Sequence, residues 1–311
     1  MDPVTHAVLG LSLSKFSGNG IDLSNPVVAG IVIGSVFPDI DIVLQKWGDY
    51  VYLKNHRGIT HSVLGTLIAS VVIAFALGGI YGSVNVFGIF ICTFAGCMSH
   101  TLIDILNSYG AKLMWPFSNK KFSLSLLIIF DPVMFVLLLL YVFSNGSWQN
   151  TSILIMSIYM LLRILMRLAV RLELISKFGE ECGKISILPS MTGLFRWHFI
   201  VETEEYNLIG EKNLLNKRIT LIHRLKKIQD VKLDRILLSP IGKFFLEFTP
   251  LYHIACEKAG DVRRYIFIDM RYCIKSRFLH HGILEVDERD RFVKSSFNPY
   301  SMNRANSMPL Q

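Results

Sequence analysis

Histidine and aspartate residues are scattered through the first 131 residues, mostly at the edges of apolar segments, and their types and spacing suit a metal site. They are His6, Asp39, Asp41, His56, His61, His100, Asp104 and Asp131. Ionisable groups at the margins of a membrane are costly and usually face one another or water. Imidazole and carboxylate are also common ligands of divalent metals. The pattern therefore predicts a shared metal or catalytic site in a membrane protein.

Two motifs fit such a site by their spacing. His100 and Asp104 are four residues apart, so on a helix both side chains lie on one face and can share an ion. Asp39 and Asp41 follow Pro38 and are two residues apart, so in extended or turn backbone both point to the same side. Taken alone, the first motif is also typical of a hydrogen bond between membrane helices. The second, taken alone, is typical of a helix stop with solvated acids.

A third motif brackets a basic turn. His56 and His61 enclose Arg57, Gly58, Ile59 and Thr60. The glycine permits a close approach of the backbone, and the arginine can pair with a phosphate or a carboxylate. We expect Arg57, together with Lys54, to stabilise negative charge in a reaction. Taken alone, the stretch is equally typical of a basic loop at the membrane surface.

Residue usage favours one common site over separate accidents. Before Glu173 the chain has only seven aspartates and four histidines, and four of the aspartates and all of the histidines belong to the set. Polar groups at membrane depth must be paired, so unrelated occurrences would be costly. Oxygen and imidazole donors without thiolates suit Zn²⁺, Mn²⁺ or Fe²⁺, singly or as a two-metal cluster. Such a site activates water for hydrolysis, with Asp41 or Asp131 as the general base.

Composition divides the chain into two parts. Only 18% of its 311 residues are charged and its mean hydropathy is +0.43, which is too apolar for an ordinary soluble enzyme. Residues 1–175 have ten Lys and Arg against eight acids, whereas the rest has twenty-two against sixteen. We expect a membrane-embedded domain over 1–175, a soluble basic domain over 176–297 and a flexible tail over 298–311. The five cysteines are odd in number and lack CxxC spacing, which argues against a disulfide framework or a thiolate zinc site.

Apolar segments predict about four to six membrane segments. Five are long enough to span a bilayer: 26–44, 62–82, 84–106, 124–144 and 151–171. Segment 4–17 is too short to cross comfortably. Lys and Arg are concentrated in connections 45–61 and 107–123 and after the last span, and are absent from 83–85 and 145–150. Because basic connections stay in the cytoplasm, the whole His and Asp set and the C-terminal domain are expected at the cytoplasmic face.

The pattern changes after residue 176. Residues 197–204 alternate in part between apolar and polar, and residues 264–270 are rich in β-branched and aromatic side chains, so both are predicted strands. Residues 211–229 are expected to be helical. Residues 278–292 are predicted to form a hairpin with its turn near 287–291. The predicted domain is small and either α+β or mainly β.

Taken together, the motifs resemble those of a known family. An N-terminal TH, then PDID, HRGITHS, SHTLIDILNSYG and a later FDP are similar to the YdjM family of bacterial inner-membrane proteins, which are regarded as metal-dependent hydrolases. The resemblance covers about residues 1–170. The FRWHFIVETEEY stretch extends it to the longer, YfhP-like members, which add a C-terminal domain. The resemblance implies a multi-pass protein of the bacterial cytoplasmic membrane.

The family is in turn similar to zinc-dependent phospholipase C and related nucleases, which are helical and use His and Asp ligands. The first-choice ligands implied by this similarity are His6, Asp39, His61, His100 and Asp104. Asp41, His56 and Asp131 become further ligands or hydrogen-bonding partners, and zinc becomes the most fitting ion. The soluble relatives also use an N-terminal amine and further His or Glu ligands that the motifs do not match, so the number of ions stays open.

Three functions fit the sequence. The first is a metal-dependent phosphoester hydrolase acting on a membrane lipid or lipid-linked phosphate. The second, which the YfhP-like resemblance also implies, is a membrane-anchored regulatory or binding protein acting through the basic C-terminal domain. Nucleic acid is a disfavoured partner because that domain is only mildly cationic and lacks a helix-turn-helix signature, while anionic lipid would explain the charge equally well. A metal ion transporter is third, because the ligands gather at one face without an inverted repeat. The oligomeric state is not predicted.

Overall fold

The computed structural model describes residues 1–179, 183–229, 232–300 and 306–308. The chain forms a helical N-terminal half followed by a C-terminal α/β half, as predicted. Of the predicted tail, residues 301–305 and 309–311 lie outside the described residues. Asn306–Ser307 is a short strand.

The N-terminal half is built from helices. They are α1 (Pro3–Phe16), α2 (Pro26–Val36), α3 (Asp49–Asn55), α4 (Val63–Tyr81), α5 (Val86–Ile105), α6 (Pro132–Phe143) and α7 (Ser147–Phe178). Two 3₁₀ helices, Phe37–Trp47 and Ile59–His61, follow α2 and α3. The first of them carries the PDID motif, and the second carries the last three residues of HRGITH.

Short polar residues followed by proline set where three helices begin. Asp2, Asn25 and Asp131 are N-caps that accept hydrogen bonds from backbone amides of the first turn, and a proline follows each of them. Proline suits the first helical position because no amide donor is needed there. Helix α6 therefore begins at Pro132 and has twelve residues. The prediction of one membrane span over 124–144 is therefore wrong, because only Pro132–Phe143 of this segment is helical.

Four helical segments of the described chain are long and apolar enough to cross a membrane. They are Pro26–Trp47, Val63–Tyr81, Val86–Ile105 and Ser147–Phe178. Helix α1 has fourteen residues, or about 21 Å at the usual rise, which agrees with the expectation that it is too short. The N-terminal half thus has four candidate membrane spans.

Helices α2 and α5 pack closely because glycines lie in their contact. A Cβ atom added to Gly34 would lie 2.3 Å from the carbonyl oxygen of Thr93, and one added to Gly96 would lie 2.3 Å from that of Ile31. Small residues let helix backbones approach in this way. The approach matters because Asp39 directly follows α2 while His100 is on α5.

The C-terminal half consists of antiparallel sheets. The first has the order β1-β2-β3-β4 and comprises β1 (Lys184–Pro189), β2 (Arg196–Glu202), β3 (Tyr206–Asn213) and β4 (Ile219–Lys226). The second has the order β11-β10-β9-β6-β5 and comprises β5 (Tyr252–Ala259), β6 (Val262–Asp269), β9 (His280–Asp287), β10 (Phe292–Pro299) and β11 (Asn306–Ser307). The smaller elements are β7 (Cys273–Ile274), β8 (Arg277–Phe278), α8 (Leu233–Leu237) and α9 (Pro240–Phe248).

Hydrophobic clusters hold this half together. Leu174 near the end of α7 shares one cluster with Trp197 of β2. Ile200 of the first sheet shares another with Ile268 of the second. Because successive residues of a strand point to opposite faces, β2 contributes side chains to both of these clusters.

Most of the predicted strands are confirmed. The strands expected over 197–204 and 264–270 are β2 and β6, and the expected hairpin is β9 with β10. The helix predicted over 211–229 is wrong, because residues 211–226 belong to β3, β4 and the turn between them. Their Lys and Leu content favours a helix in isolation, but pairing in a sheet outweighs that propensity.

The chain forms two compact units. The first comprises Met1–Val43 and Asn55–Leu165, and the second comprises Leu44–Lys54 and Met166–Gln311. In the second unit, Tyr50 packs against Phe244 with ring centroids 5.1 Å apart. The predicted domain limits at residues 175 and 297 stay predictions.

Candidate metal centre

Four of the predicted ligands meet in the first unit: Asp39, His61, His100 and Asp104. Asp39 lies near the start of the 3₁₀ helix after α2, and His61 ends the second 3₁₀ helix. His100 and Asp104 are one turn apart near the end of α5. The side chains of His61, His100 and Asp104 are fully buried, whereas that of Asp39 is 13% exposed.

The donor atoms of these residues are spaced as ligands of one ion would be. His61 Nε2 lies 3.1 Å from His100 Nε2, 3.6 Å from Asp39 Oδ1 and 3.3 Å from Asp104 Oδ2. His100 Nε2 lies 3.5 and 3.7 Å from the same two oxygens. A tetrahedral zinc ion with its usual bond lengths holds its nitrogen and oxygen ligands roughly 3.3 Å apart. The residues therefore fit a tetrahedral divalent ion.

Hydrogen bonds on the far side of each imidazole direct its Nε2 toward the centre. His100 Nδ1 lies 2.7 Å from the carbonyl oxygen of Ser35, which can only accept, so Nδ1 carries the hydrogen. His61 Nδ1 lies 3.1 Å from the Thr60 hydroxyl, which donates in turn to Asp41. In neutral rings both Nε2 lone pairs then face each other, and a cation between them satisfies both. Histidine ligands commonly donate their second N–H outward in this way.

His6 lies against the same cluster. Its ring stacks on that of His100 with centroids 3.5 Å apart, and its Nε2 lies 3.4 Å from Asp104 Oδ1. The side chain is fully buried, and neither ring nitrogen has a hydrogen-bond partner among the described residues. The α-amine of Met1 forms an ion pair with Asp104. His6 thus adds a donor beside the four-residue centre.

Arg57 brings positive charge to the cluster. Its Nε lies 2.9 Å from Asp104 Oδ2, and its Nη1 donates to Asn107 Oδ1 at 2.7 Å. The residue is buried and adopts a left-handed φ of 60°. The guanidinium is therefore fixed beside the donors rather than free in a surface loop.

A second group of donors adjoins the first and shares one residue with it. Asp39, Asp41 and His56 each bring one ligand atom to within 4.8 Å of the others. Asp41 accepts hydrogen bonds from His56 Nδ1 at 2.9 Å and from the backbone amide of Arg57 at 3.0 Å. Its Oδ2 also lies 3.3 Å from the Thr60 hydroxyl. Asp41 thereby fixes the turn that carries the ligand His61.

The two histidines of this turn differ in their electrostatics. Burial lowers the pKa of His56 below its usual value, against the hydrogen bond to Asp41. Burial acts in the same direction on His61, but the carboxylates of Asp104 and Asp39 outweigh it and raise the pKa of His61. The surroundings of His61 thus favour a positive charge.

Asp131 belongs to neither group of donors. Its Oδ1 accepts hydrogen bonds from the backbone amides of Val133 and Met134 at the start of α6. Its Oδ2 accepts a hydrogen bond of 2.6 Å from the Tyr159 hydroxyl of α7. The structure places Asp131 as a helix cap that joins two helices, and its role as a general base stays a prediction.

Sequence reasoning missed the residues that orient the ligands. Thr60 lies beside His61, and Asn107 lies three residues after Asp104, to which its amide donates at 3.3 Å. Both positions fall within or next to a recognised motif, which was a usable signal. Ser35 acts through its backbone carbonyl, and such a contact has no side-chain signal.

The fold and the site define a helical membrane protein with a buried cluster of His and Asp. Residues 1–172 match the family model of the YdjM inner membrane protein, and residues 235–307 match the YfhP C-terminal alpha/beta plait domain. The chain belongs to the YdjM family, as its motifs predicted. It is 28% identical over 313 residues to the "Uncharacterized protein YfhP" of Bacillus subtilis (strain 168), which covers 96% of this chain and 94% of that protein. No solved structure matches the chain.

Proposed function

We propose that the protein is a metal-dependent phosphoester hydrolase of the bacterial cytoplasmic membrane, with its site facing the cytoplasm. The observation that carries this proposal is the spacing of the donor atoms of Asp39, His61, His100 and Asp104. Two imidazoles and two carboxylates suit Zn²⁺, Mn²⁺ or Fe²⁺, and the tetrahedral spacing favours zinc. A bound divalent ion supplies a Lewis acid and lowers the pKa of water.

The residues of the chain support the hydrolysis of a phosphoester. In this reaction the oxygen of water bonds to phosphorus, the bond to the ester oxygen breaks, and the departing oxygen takes up the proton that the water loses. Negative charge grows on the phosphoryl oxygens as this happens. The Arg57 guanidinium, held by Asp104 and Asn107, supplies fixed positive charge to offset it. Asp41 keeps the turn of Arg57 in place.

Exposed apolar side chains beside the ligands support a lipid or a lipid-linked phosphate as substrate. Ile40 and Ile42 alternate with Asp39 and Asp41 along the chain and are 49% and 52% exposed. Ile59, two residues before His61, is 52% exposed. Apolar side chains exposed next to a polar site are typical of contact with a lipid or another apolar partner. The basic connections 45–61 and 107–123 support the cytoplasmic orientation.

The test is an assay of the detergent-purified protein with zinc. Phosphate release is measured from phosphatidic acid in mixed micelles and from the water-soluble p-nitrophenyl phosphate. We expect turnover of the lipid by the wild type and a loss of about 100-fold or more in Asp104→Asn, while Asp22→Asn, an exposed aspartate outside the cluster, keeps the wild-type rate. Absence of bound metal, or equal activity in Asp104→Asn, would contradict the proposal.

One observation favours a second function, a regulatory protein that acts through its C-terminal half. Residues Leu44–Lys54 belong to the second unit, where Tyr50 packs on Phe244. This stretch joins Asp41 to His56 along the chain, so a ligand that rearranged the second unit would act on the segment between two candidate site residues. A purely regulatory protein would keep its cellular effect after replacement of both His100 and Asp104, whereas a hydrolase would lose it.

A further inference from the structure

Asp39 is the one residue common to both groups of donors. It lies with His61, His100 and Asp104 in the first group and with Asp41 and His56 in the second. A carboxylate has two oxygens and can accept a different partner on each. Asp39 is therefore placed to act as a bridge between two cations.

The first group leaves no coordination position open for a substrate. Its four donor atoms are joined by five distances of 3.1–3.7 Å, close to the edge of a tetrahedron around one ion. Zinc sites closed by four protein ligands are structural, whereas catalytic sites keep a position for water or substrate. Three of the four side chains are also fully buried. An ion held by this group alone would have to release one protein ligand, or expand its coordination, to bind a phosphoester.

The second group has the features that the first lacks. It offers three protein donors, which leaves room for an exogenous ligand on a four-coordinate or larger ion. Of the residues not shared between the groups, His56 and Asp41 are 15% and 4% exposed, whereas His61 and His100 are fully buried. His56 Nδ1 and Asp41 Oδ1 lie 2.9 Å apart, and a cation can replace the proton that they share. The more open side of the cluster is therefore the side with the unfilled donor set.

We infer that the protein binds two divalent ions bridged by Asp39, a closed inner ion and an open outer ion. The inner ion takes His61, His100 and Asp104, and the outer ion takes Asp41 and His56. The phosphoryl group of the substrate binds on the outer ion. This inference rests on the proposed function and specifies where in the site its substrate docks. Paired ions of this kind stabilise both the attacking and the leaving oxygen in phosphoester chemistry.

The experiment counts metal ions without relying on activity. The full-length protein is purified in detergent, stripped with chelator, reloaded with Zn²⁺ and analysed for metal per chain by mass spectrometry. We expect two ions in the wild type and one in His56→Ala. The matched control His223→Ala, a histidine of the second unit, should keep two. Gel filtration and circular dichroism check folding, and His56→Gln and Asp41→Asn serve as second variants.

A spectroscopic readout separates a pair of ions from two unrelated ones. When the protein is loaded with Mn²⁺, bridged ions couple magnetically, so the wild type should show a broadened, exchange-coupled spectrum and His56→Ala the six-line spectrum of a single ion. One ion in the wild type, or two ions that persist in His56→Ala, would overturn the bridged pair but leave a one-metal hydrolase intact. No bound metal in the wild type would overturn the proposed function as well.

Discussion

Each unit of the molecule buries an aspartate, and the two units neutralise it differently. In the second unit, Asp269 is fully buried, and Arg271 donates to both of its oxygens, from Nε at 2.9 Å and from Nη2 at 2.8 Å. The Thr249 hydroxyl adds a further hydrogen bond of 3.1 Å. In the first unit, Asp104 faces Arg57 and also the imidazoles of three histidines.

The two aspartates differ as an ion pair that stabilises the fold differs from a candidate metal site. Both oxygens of Asp269 are matched by donors of the chain itself, so the pair is complete as it stands. Around Asp104, the Nε2 atoms of His61 and His100 face each other, and a cation completes the arrangement. A buried charge is costly unless it is paired, and Asp104 already has the Met1 amine, Arg57 and Asn107 as partners. The atoms that a bound cation would satisfy are the facing Nε2 lone pairs of His61 and His100.

The largest expected effect is on stability in the second unit. In Asp269→Asn, the buried Arg271 loses its charge partner, which should lower the free energy of unfolding by about 3–5 kcal/mol. Urea denaturation of the purified protein measures it, and metal content should not change. The exposed control Asp261→Asn should cost almost nothing, and adding Arg271→Met to Asp269→Asn should restore much of the loss. A cost below about 1 kcal/mol, or lost metal, would contradict the structural assignment.

The next prediction concerns pH and the same buried pocket. Burial lowers the pKa of His280 from 6.5 to about 4; the charge of Asp269 opposes this shift, and Arg271 and His281 add to it. The unfolded chain therefore binds a proton on this residue that the folded chain does not. Above pH 6.5 the titration of His280 does not reduce the free energy of unfolding. As the pH falls toward 4, it lowers that free energy by roughly 3 kcal/mol. Unfolding free energies of the wild type and His280→Gln over this range measure it, and parallel curves would contradict it.

In the first unit the expected loss is of metal affinity rather than of fold. His100→Ala removes one of the four donors and should weaken zinc binding about 100-fold or more, while the metal-free protein keeps its secondary structure. Chelator competition gives the affinity. Zinc at about 100 times its dissociation constant should also stabilise the wild type by about 2.7 kcal/mol, and this effect should be lost in the variant. If zinc stabilised both equally, the centre would lie elsewhere.

The smallest expected effect comes from the hydrogen bond behind a ligand. Thr60→Val removes the hydroxyl that lies between His61 and Asp41 and should weaken zinc binding about 10-fold. Thr60→Ser, which keeps the hydroxyl, is the control and should bind as the wild type does. Equal affinity in all three proteins would show that Thr60 does not orient His61.

Much of the architecture followed from local patterns. Apolar segments marked the four candidate spans, and alternation marked β2 and β6. The length of the apolar run hid the start of α6 at Pro132, which Asp131 caps. The helix expected over 211–229 failed because propensity is a local quantity, whereas β3 and β4 are stabilised by pairing with neighbouring strands.

For the candidate site, the sequence alone specified the donor types and predicted His100 and Asp104 on one helix face. It also showed that all four histidines and four of the seven aspartates before Glu173 belong to one set. Folding specified the rest. The close packing of α2 on α5 and the turn held by Asp41 bring Asp39 and His61 to that face, and Asp131 caps α6. The physical reason is that spacing along a chain fixes neighbours within one element, whereas a coordination shell is built from atoms of several elements. Their distances depend on how those elements pack.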